Sequence, residues 1–396
     1  MSITAKVSVR LRSKYLCIVS VFGPVRVIED EQPDVKMNNS TCLLAHELTT
    51  SFARRLVTYY CISVSILATG SGILLMKMQK NVFPFHRNLK IVLCIHMFYC
   101  FQQSLGFGAV HIADLIRLTK HHDDPCDYLL SAAYVFNLRQ VPVIGIYGQI
   151  LTLACISVER IWASVVENYE KRKLTLGITL LCAGQFVVAV TVFYVFLAVD
   201  VDWSSQVALF NVRSDGGAWK FKLIVYFGTV VEILSIIAFH VLLFVNNRRR
   251  GRLQRDSLHF VGLSARYQIA ENVNAMKLLV PAVWMHFIVF AANGVSLMLY
   301  DRFGDKSDKV TSAVFLDACN VSSIYPILMA IFMFAKHPKA RRNLLMSGKG
   351  QPGGSGVEPQ KDEADIHFAY LRAMFLEKPQ DGAKCNRTTL KYWCCC

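Results

Sequence analysis

Charge is scarce in this chain. Only 18% of its 396 residues are Asp, Glu, Lys or Arg, and the 28 acidic residues are outnumbered by 43 basic ones. With 54% hydrophobic residues and a positive mean hydropathy, that composition argues against a set of ordinary soluble domains. Catalytic words are missing as well. The absence of His-Glu-x-x-His or a comparable motif speaks against an intramembrane enzyme, and no cofactor is expected. Nor is there an inverted repeat or a matched pair of interrupted hydrophobic segments. That weakens a multi-span transporter of a small solute, which is the main alternative function. The early apolar run YLCIVSVFGPV follows Lys6, Arg10, Arg12 and Lys14 but lacks a small-x-small cleavage site, and it is too short to span a bilayer. Residues 1–36 therefore read as an unstructured leader or an upstream extension of the gene, with a cleaved signal as the remaining option.

What the chain does have is long apolar blocks. A spanning helix needs about 20 predominantly apolar residues. Seven blocks of that order lie at roughly 56–76, 89–112, 138–162, 175–199, 221–245, 278–300 and 313–335. Runs this long are helices rather than strands, because in lipid each segment must satisfy its own backbone. The expected fold is an all-α membrane protein, a seven-transmembrane-helix bundle. Gln102, Gln103, Arg139 and Gln140 interrupt the second and third blocks without shortening them below spanning length.

A net charge of +15 could suggest nucleic acid, but its distribution describes a membrane topology. Fifteen cations flank the connections between spans one and two, three and four, and five and six, among them Lys77, Arg87, Lys171, Arg172, Arg248, Arg249 and Arg250. The alternate connections hold seven: Arg117, Lys120, Arg213, Lys220, Arg302, Lys306 and Lys309. The positive-inside rule then places the amino terminus outside and the carboxy terminus in the cytosol. The bilayer, not nucleic acid, is the expected partner. The domains follow as an extracellular segment 1–55, a bundle 56–336 and a cytoplasmic tail 337–396.

Of the 13 cysteines, Cys61, Cys94, Cys100, Cys155, Cys182 and Cys319 fall inside spans and act as small hydrophobes. Cys385, Cys394, Cys395 and Cys396 are expected in the reducing cytosol, leaving Cys17, Cys42 and Cys126 on the oxidising side. Two overlapping glycosylation sequons begin at Asn38 and Asn39. In the tail, HPKARRNLL suits a short basic amphipathic helix on the inner leaflet and residues 348–356 a flexible linker. The terminal cysteines suit palmitoylation, or equally a solvated tail in which they are incidental.

Polar residues inside spans are costly unless they face the bundle interior, so they are the candidates for a ligand pocket. Gln103 is one on span two. Asn137, Gln140 and Tyr147 share a helical face of span three, His286 and Asn293 one of span six, and Asp317 and Asn320 one of span seven. Glu232 on span five is the most expensive. At about 1.5 Å per residue it lies about 16 Å below the outer surface and His286 about 18 to 20 Å. The two are plausible partners at one depth, the alternative being a protonated or locally satisfied carboxyl. The loop HHDDPCD, 121–127, reads as solvated, not as a metal site.

Span three ends in ISVERIWASV, residues 156–165, where Glu159 and Arg160 follow a long apolar run. On position alone, Arg160 is a topology signal. Span six adds LSARYQIAEN, 263–272, with Arg266, Tyr267, Gln268, Glu271 and Asn272 ahead of its apolar run. Seven spans and a Glu-Arg pair at the inner end of the third resemble the layout of G-protein-coupled receptors. The Arg-Tyr-Gln word with its Glu-Asn is similar to a signature of the nematode serpentine chemoreceptors of the Sra superfamily. FPFHRNLKIVLCIH (83–96), PCDY (125–128) and VERIWASVVENYE (158–170) narrow the resemblance to serpentine receptor class alpha/beta (Srab), over about residues 37 to 342.

That resemblance implies a chemosensory receptor that detects a small environmental chemical and signals through a heterotrimeric G protein. It also implies the plasma membrane of ciliated sensory neurons. Arg160 would be restrained in the inactive bundle, with Glu159 beside it, and released when span six swings outward. Arg266, Tyr267, Glu271 and Asn272 would line the moving end. Ile161 replaces the tyrosine of the better-known Asp-Arg-Tyr word, so the analogy reaches two of three residues. The usual bridge from span three to the loop at 200–220 cannot form, because that loop contains no cysteine. Cys126 is therefore free or paired with Cys42 or Cys17, and Cys42–Cys126 is the favoured pair.

Overall fold

The computed structural model describes residues 39–82, 85–166, 169, 175–199, 201–209, 218–255, 263–303 and 308–336. The leader, Cys17, Asn38, the tail helix, the linker and Cys394, Cys395 and Cys396 lie outside the described residues, as does the side chain of Asn39. The elements are α1 (Asn39–Thr50), α2 (Phe52–Val82), α3 (Arg87–Thr119), β1 (Leu130–Ser131), α4 (Ala132–Val165), α5 (Thr175–Phe193), β2 (Gln206–Val207), α6 (Ala218–Arg255), α7 (Leu263–Phe303), α8 (Lys309–Ala318) and α9 (Ile324–Lys336). Helices α2 to α7 carry the first six apolar blocks, while α8 and α9 share the seventh. All seven stretches are long and apolar enough to cross a membrane.

Two features differ from the sequence expectation. All the spanning helices except α5 overrun their apolar blocks, most of all α7, which has 41 residues and begins at Leu263 although its block begins near 278. Hydropathy marks the part of a helix that crosses lipid, whereas backbone pairing continues for turns beyond it. The seventh span is also broken, not continuous over 313–335. Helix α8 stops at Ala318 and a single 3₁₀ turn, Val321–Ser323, leads into α9. At the break the Asn320 carboxamide oxygen accepts a hydrogen bond from Ser322 Oγ at 2.7 Å. Pro326 has no N–H to offer the Ser322 carbonyl one turn earlier.

Packing explains which helices lie at the centre. Helices α3 and α4 approach closely because Gly145 and Gly148 line the face of α4 that meets α3. A Cβ at Gly145 would stand 2.9 Å from the Gln103 backbone nitrogen, and one at Gly148 would overlap the Tyr99 ring. Small residues at such contacts let backbones meet, which is how helices associate without a hydrophobic driving force. One buried cluster joins Leu89, Val92, Ile156, Phe239, Met276 and Leu279 across spans two, three, five and six. Another joins Leu75, Met78, Met97, Tyr325, Met329 and Met333 across spans one, two and seven. Large apolar side chains such as Ile66, Leu180, Leu234, Phe244 and Ile288 are exposed, a surface suited to lipid.

One end of the bundle carries a cap. Helix α1 buries Ala45 and Leu48 against Tyr128, Ala208 and Ala313. A disulfide joins Cys42 to Cys126 across 84 positions of sequence, with a Cα–Cα distance of 4.6 Å. Beside it β1 and β2 pair antiparallel, with Leu130 opposite Val207 and Ser131 opposite Gln206. The lead into span three and the connection after span four are thus held together.

Candidate functional site

The Glu-Arg pair lies at the opposite end of the bundle from the cap, and it is buried. Arg160 is 1% exposed and Glu159 2%. The guanidinium grips the neighbouring carboxylate through both Nε and Nη2. Its remaining arm crosses between helices, where Nη1 donates to Asn272 Oδ1 on α7 at 3.0 Å. Asn272 closes the contact by donating to the Ala163 carbonyl at 3.2 Å, and Gln268 one turn earlier donates to the carbonyls of Ala163 and Val166 at 2.6 and 2.9 Å. The Arg-Tyr-Gln and Glu-Asn words therefore meet the carboxy-terminal end of span three directly. Helix spacing explains it, since Gln268 and Asn272 are four apart and share one face.

Around this contact run further ties. The Tyr169 hydroxyl donates to Glu159 Oε1 at 2.8 Å and accepts from Asn88 Nδ2 at 2.8 Å. Burial pushes the Tyr169 phenol well above its ordinary range and the Glu159 carboxylate adds to that, so the hydroxyl keeps its proton and acts as donor. Glu271 accepts from the His86 backbone N–H at 2.6 Å, tying span six to the start of span two. Asn246 on span five donates to Ser164 Oγ at 3.0 Å, and Arg249 to the Ser164 carbonyl at 2.6 Å. Arg266 and Tyr267 are half-buried at the start of α7.

Above this end a column of buried polar side chains rises through the bundle. Glu232 and His286, on spans five and six, come within 2.8 Å (Oε1 to Nδ1), at an ion-pair distance without hydrogen-bond alignment. The His286 ring packs edge-on against Tyr325 of span seven, whose hydroxyl lies 2.9 Å from His96 Nε2 on span two. Gln103 donates to Ser322 at 2.8 Å and accepts from Gln149. Gln185 of span four donates to Thr152 Oγ1 at 3.1 Å.

At the capped end is a cluster of charges. Arg54 of span one bridges Asp114 of span two at 2.6 Å and Asp317 of span seven at 2.5 Å. Arg117 reaches the other oxygen of Asp114 at 2.6 Å and also donates to the Ala208 carbonyl at 2.7 Å. Arg139 of span three stands 3.6 Å from Asp317.

The structure thus gathers Gln103, Glu232, His286 and Asp317 into the interior and places Asn320 at the break in span seven. It does not bring Asn137, Gln140 and Tyr147 to them. Asn137 is exposed, Gln140 accepts from the Tyr194 hydroxyl at 2.9 Å, and Tyr147 packs with the Phe136–Phe193 cluster. Asn293 is half-buried. Their spacing established a shared helical face but not which neighbour that face meets. Sequence reasoning missed His96, Gln149, Tyr169, Tyr325 and the Arg54–Asp114–Arg117 triad. Arg54 and Asp114 sit just beyond the apolar blocks and read as boundary charges. Their opposite signs at one end of adjacent spans were the signal that could have found them.

The family described as "serpentine type 7TM GPCR receptor class ab chemoreceptor" matches residues 39–347. The chain belongs to that family. This serpentine receptor is 26% identical over 306 residues to serpentine receptor class beta-17 of Caenorhabditis elegans, covering 75% of the chain and 81% of the relative. It is 27% identical over 323 residues to serpentine receptor class alpha/beta-14 of the same organism, covering 78% and 80%. In three dimensions it resembles the crystal structure of squid rhodopsin, with a TM-score of 0.55 at 11% identity over 82% of this chain and 88% of that one. At that identity the likeness is one of fold, and the receptor is a multi-pass membrane protein with a rhodopsin-like bundle.

Proposed function

We propose that this serpentine receptor is a chemosensory receptor of the plasma membrane, placed in ciliated sensory neurons. It detects a small environmental chemical outside the cell and activates a heterotrimeric G protein inside. The capped end, with α1 and the disulfide, faces the extracellular medium, and the Arg160 end faces the cytosol. The cation distribution and the disulfide, which suits an oxidising compartment, both support that orientation.

The observation that carries the reading is the hydrogen bond from Arg160 to Asn272. Glu159 holds the same guanidinium from the next residue of the same helix, so it orients the arginine without resisting any movement between helices. Asn272 is different, because it lies on α7 and its bond must break if span six leaves span three. A closed state fastened there and an open state with Arg160 released form a two-state element that a ligand can bias. The test is nucleotide exchange by purified receptor in lipid vesicles on a panel of heterotrimeric G proteins. Activation requires Arg160 to be free, so Arg160→Ala is expected to lose agonist-stimulated exchange when compared per folded receptor. Full exchange by that variant would remove the arginine from the mechanism.

A further inference from the structure

We propose that the extracellular end of the bundle is an anion-binding subsite, with Arg139 as the residue that receives a carboxylate or similar negative group of the ligand. This inference rests on the receptor reading above. It begins from a charge imbalance in the buried cluster. Arg54, Arg117 and Arg139 supply three positive charges, whereas Asp114 and Asp317 supply two negative ones. His111 is buried beside them and brings no negative charge. Among the described residues the cluster therefore carries an excess of one cation in a setting where uncompensated charge is costly.

The excess falls on Arg139. Both carboxylates are already committed. Asp114 gives one oxygen to Arg54 and the other to Arg117, while Asp317 gives Oδ2 to Arg54. What is left for Arg139 is Asp317 Oδ1 at 3.6 Å, beyond hydrogen-bond range. Like that of Arg54, its Nε is buried without a hydrogen-bond partner. The residue sits seven positions inside α4, about 10 Å along the helix, and its side chain is still 17% accessible. A guanidinium that is under-bonded, two turns into α4 and still partly accessible is poised for a planar two-oxygen acceptor. Carboxylates match that fork geometry. The ligand class assigned is therefore an organic anion small enough to pass the cap.

The geometry yields a test that a merely structural arginine would fail. Arg139 makes no hydrogen bond to Asp317, and without it Arg54 still bonds both aspartates, so Arg139→Gln should fold at least as well as the parent. Thermal unfolding of the purified full-length receptor in detergent would be followed with straight-chain carboxylates from butyrate to decanoate, each beside its methyl ester. Carboxylates are expected to raise the midpoint of the parent while the esters do not. Arg139→Gln should weaken that response about tenfold or more, the scale of one hydrogen bond to a charged group, without lowering the ligand-free midpoint. No preference for carboxylates in the parent would overturn the proposal. So would a ligand-free Arg139→Gln that unfolds earlier yet keeps the response, since Arg139 would then be only a counter-ion for Asp317. If Arg139→Gln does not fold, Arg139→Lys decides, because an undiminished carboxylate response there would equally reject the guanidinium fork. No G protein enters this assay, so it can fail while nucleotide exchange succeeds, and the reverse.

Discussion

The contact between Arg160 and Asn272 sets a magnitude that can be measured. Arg160 Nη1 donates to Asn272 Oδ1 at 3.0 Å from a site that is almost fully buried. Hydrogen bonds to charged groups contribute about 1.5 to 3 kcal/mol. Asn272→Ala removes that bond and the return bond to the Ala163 carbonyl, but it leaves the grip of Glu159 on the guanidinium. If the bond exists only in the closed bundle, its loss raises the open population about tenfold for each 1.4 kcal/mol. The expected result is basal nucleotide exchange about tenfold above the parent at equal receptor level, with no agonist added. Asn272→Asp places a carboxylate opposite the same arm and should lower basal exchange below the parent. A double variant with Arg160→Ala should show no further effect of Asn272→Ala, because the partner is already gone. Basal exchange unchanged in Asn272→Ala, or raised in Asn272→Asp, would refute the idea that this bond fastens span six to span three.

The remaining predictions concern stability. Glu159→Gln strips a buried arginine of its counter-ion and should cost about 3 to 5 kcal/mol, read as a fall in the unfolding midpoint and in surface level, so its signalling is informative only per folded receptor. Arg54→Gln should be as damaging, since it leaves Asp114 and Asp317 short of a shared cation, whereas Arg139→Gln should not, a contrast visible in one thermal-shift experiment. Gly145→Val drives a side chain toward the Gln103 backbone and should destabilise by about 1 to 3 kcal/mol, with Gly145→Ala milder. Cys42→Ser should remove a crosslink worth about 4 kcal/mol in the chain-entropy model, seen as a lower midpoint that reducing agent no longer changes.

Much of this receptor was decided within single segments of sequence. The seven apolar blocks fix helices because lipid offers no other partner for a backbone, a constraint that acts on each segment alone. The cation asymmetry is likewise a sum over loops and carries an orientation without any contact being known. The motif words at 158–170 and 263–272 pointed to the family and marked the two segments of chain that meet at the end of the bundle opposite the cap, since both are contiguous stretches.

What only the tertiary structure decided is which helical face meets which neighbour. Periodicity put Asn137, Gln140 and Tyr147 on one side of span three, and that side turned out to meet span four and the surface instead of the polar column. The latch itself was invisible for the same reason. Glu159 is adjacent to Arg160 in sequence and looked like its restraint, while the bond that crosses between helices goes to Asn272, 112 positions away. The charge cluster is the strongest case. Arg54 and Asp114 lie just beyond the apolar blocks of two spans and read as boundary charges, Asp317 reads as a pocket residue within a third, and the three become one buried network once the bundle closes. Burial and pairing depend on how the helices are rotated and arranged around one another. That arrangement is fixed by close approaches such as Gly145 against the Gln103 backbone and by the break at Asn320, which are properties of pairs of surfaces that no single segment contains.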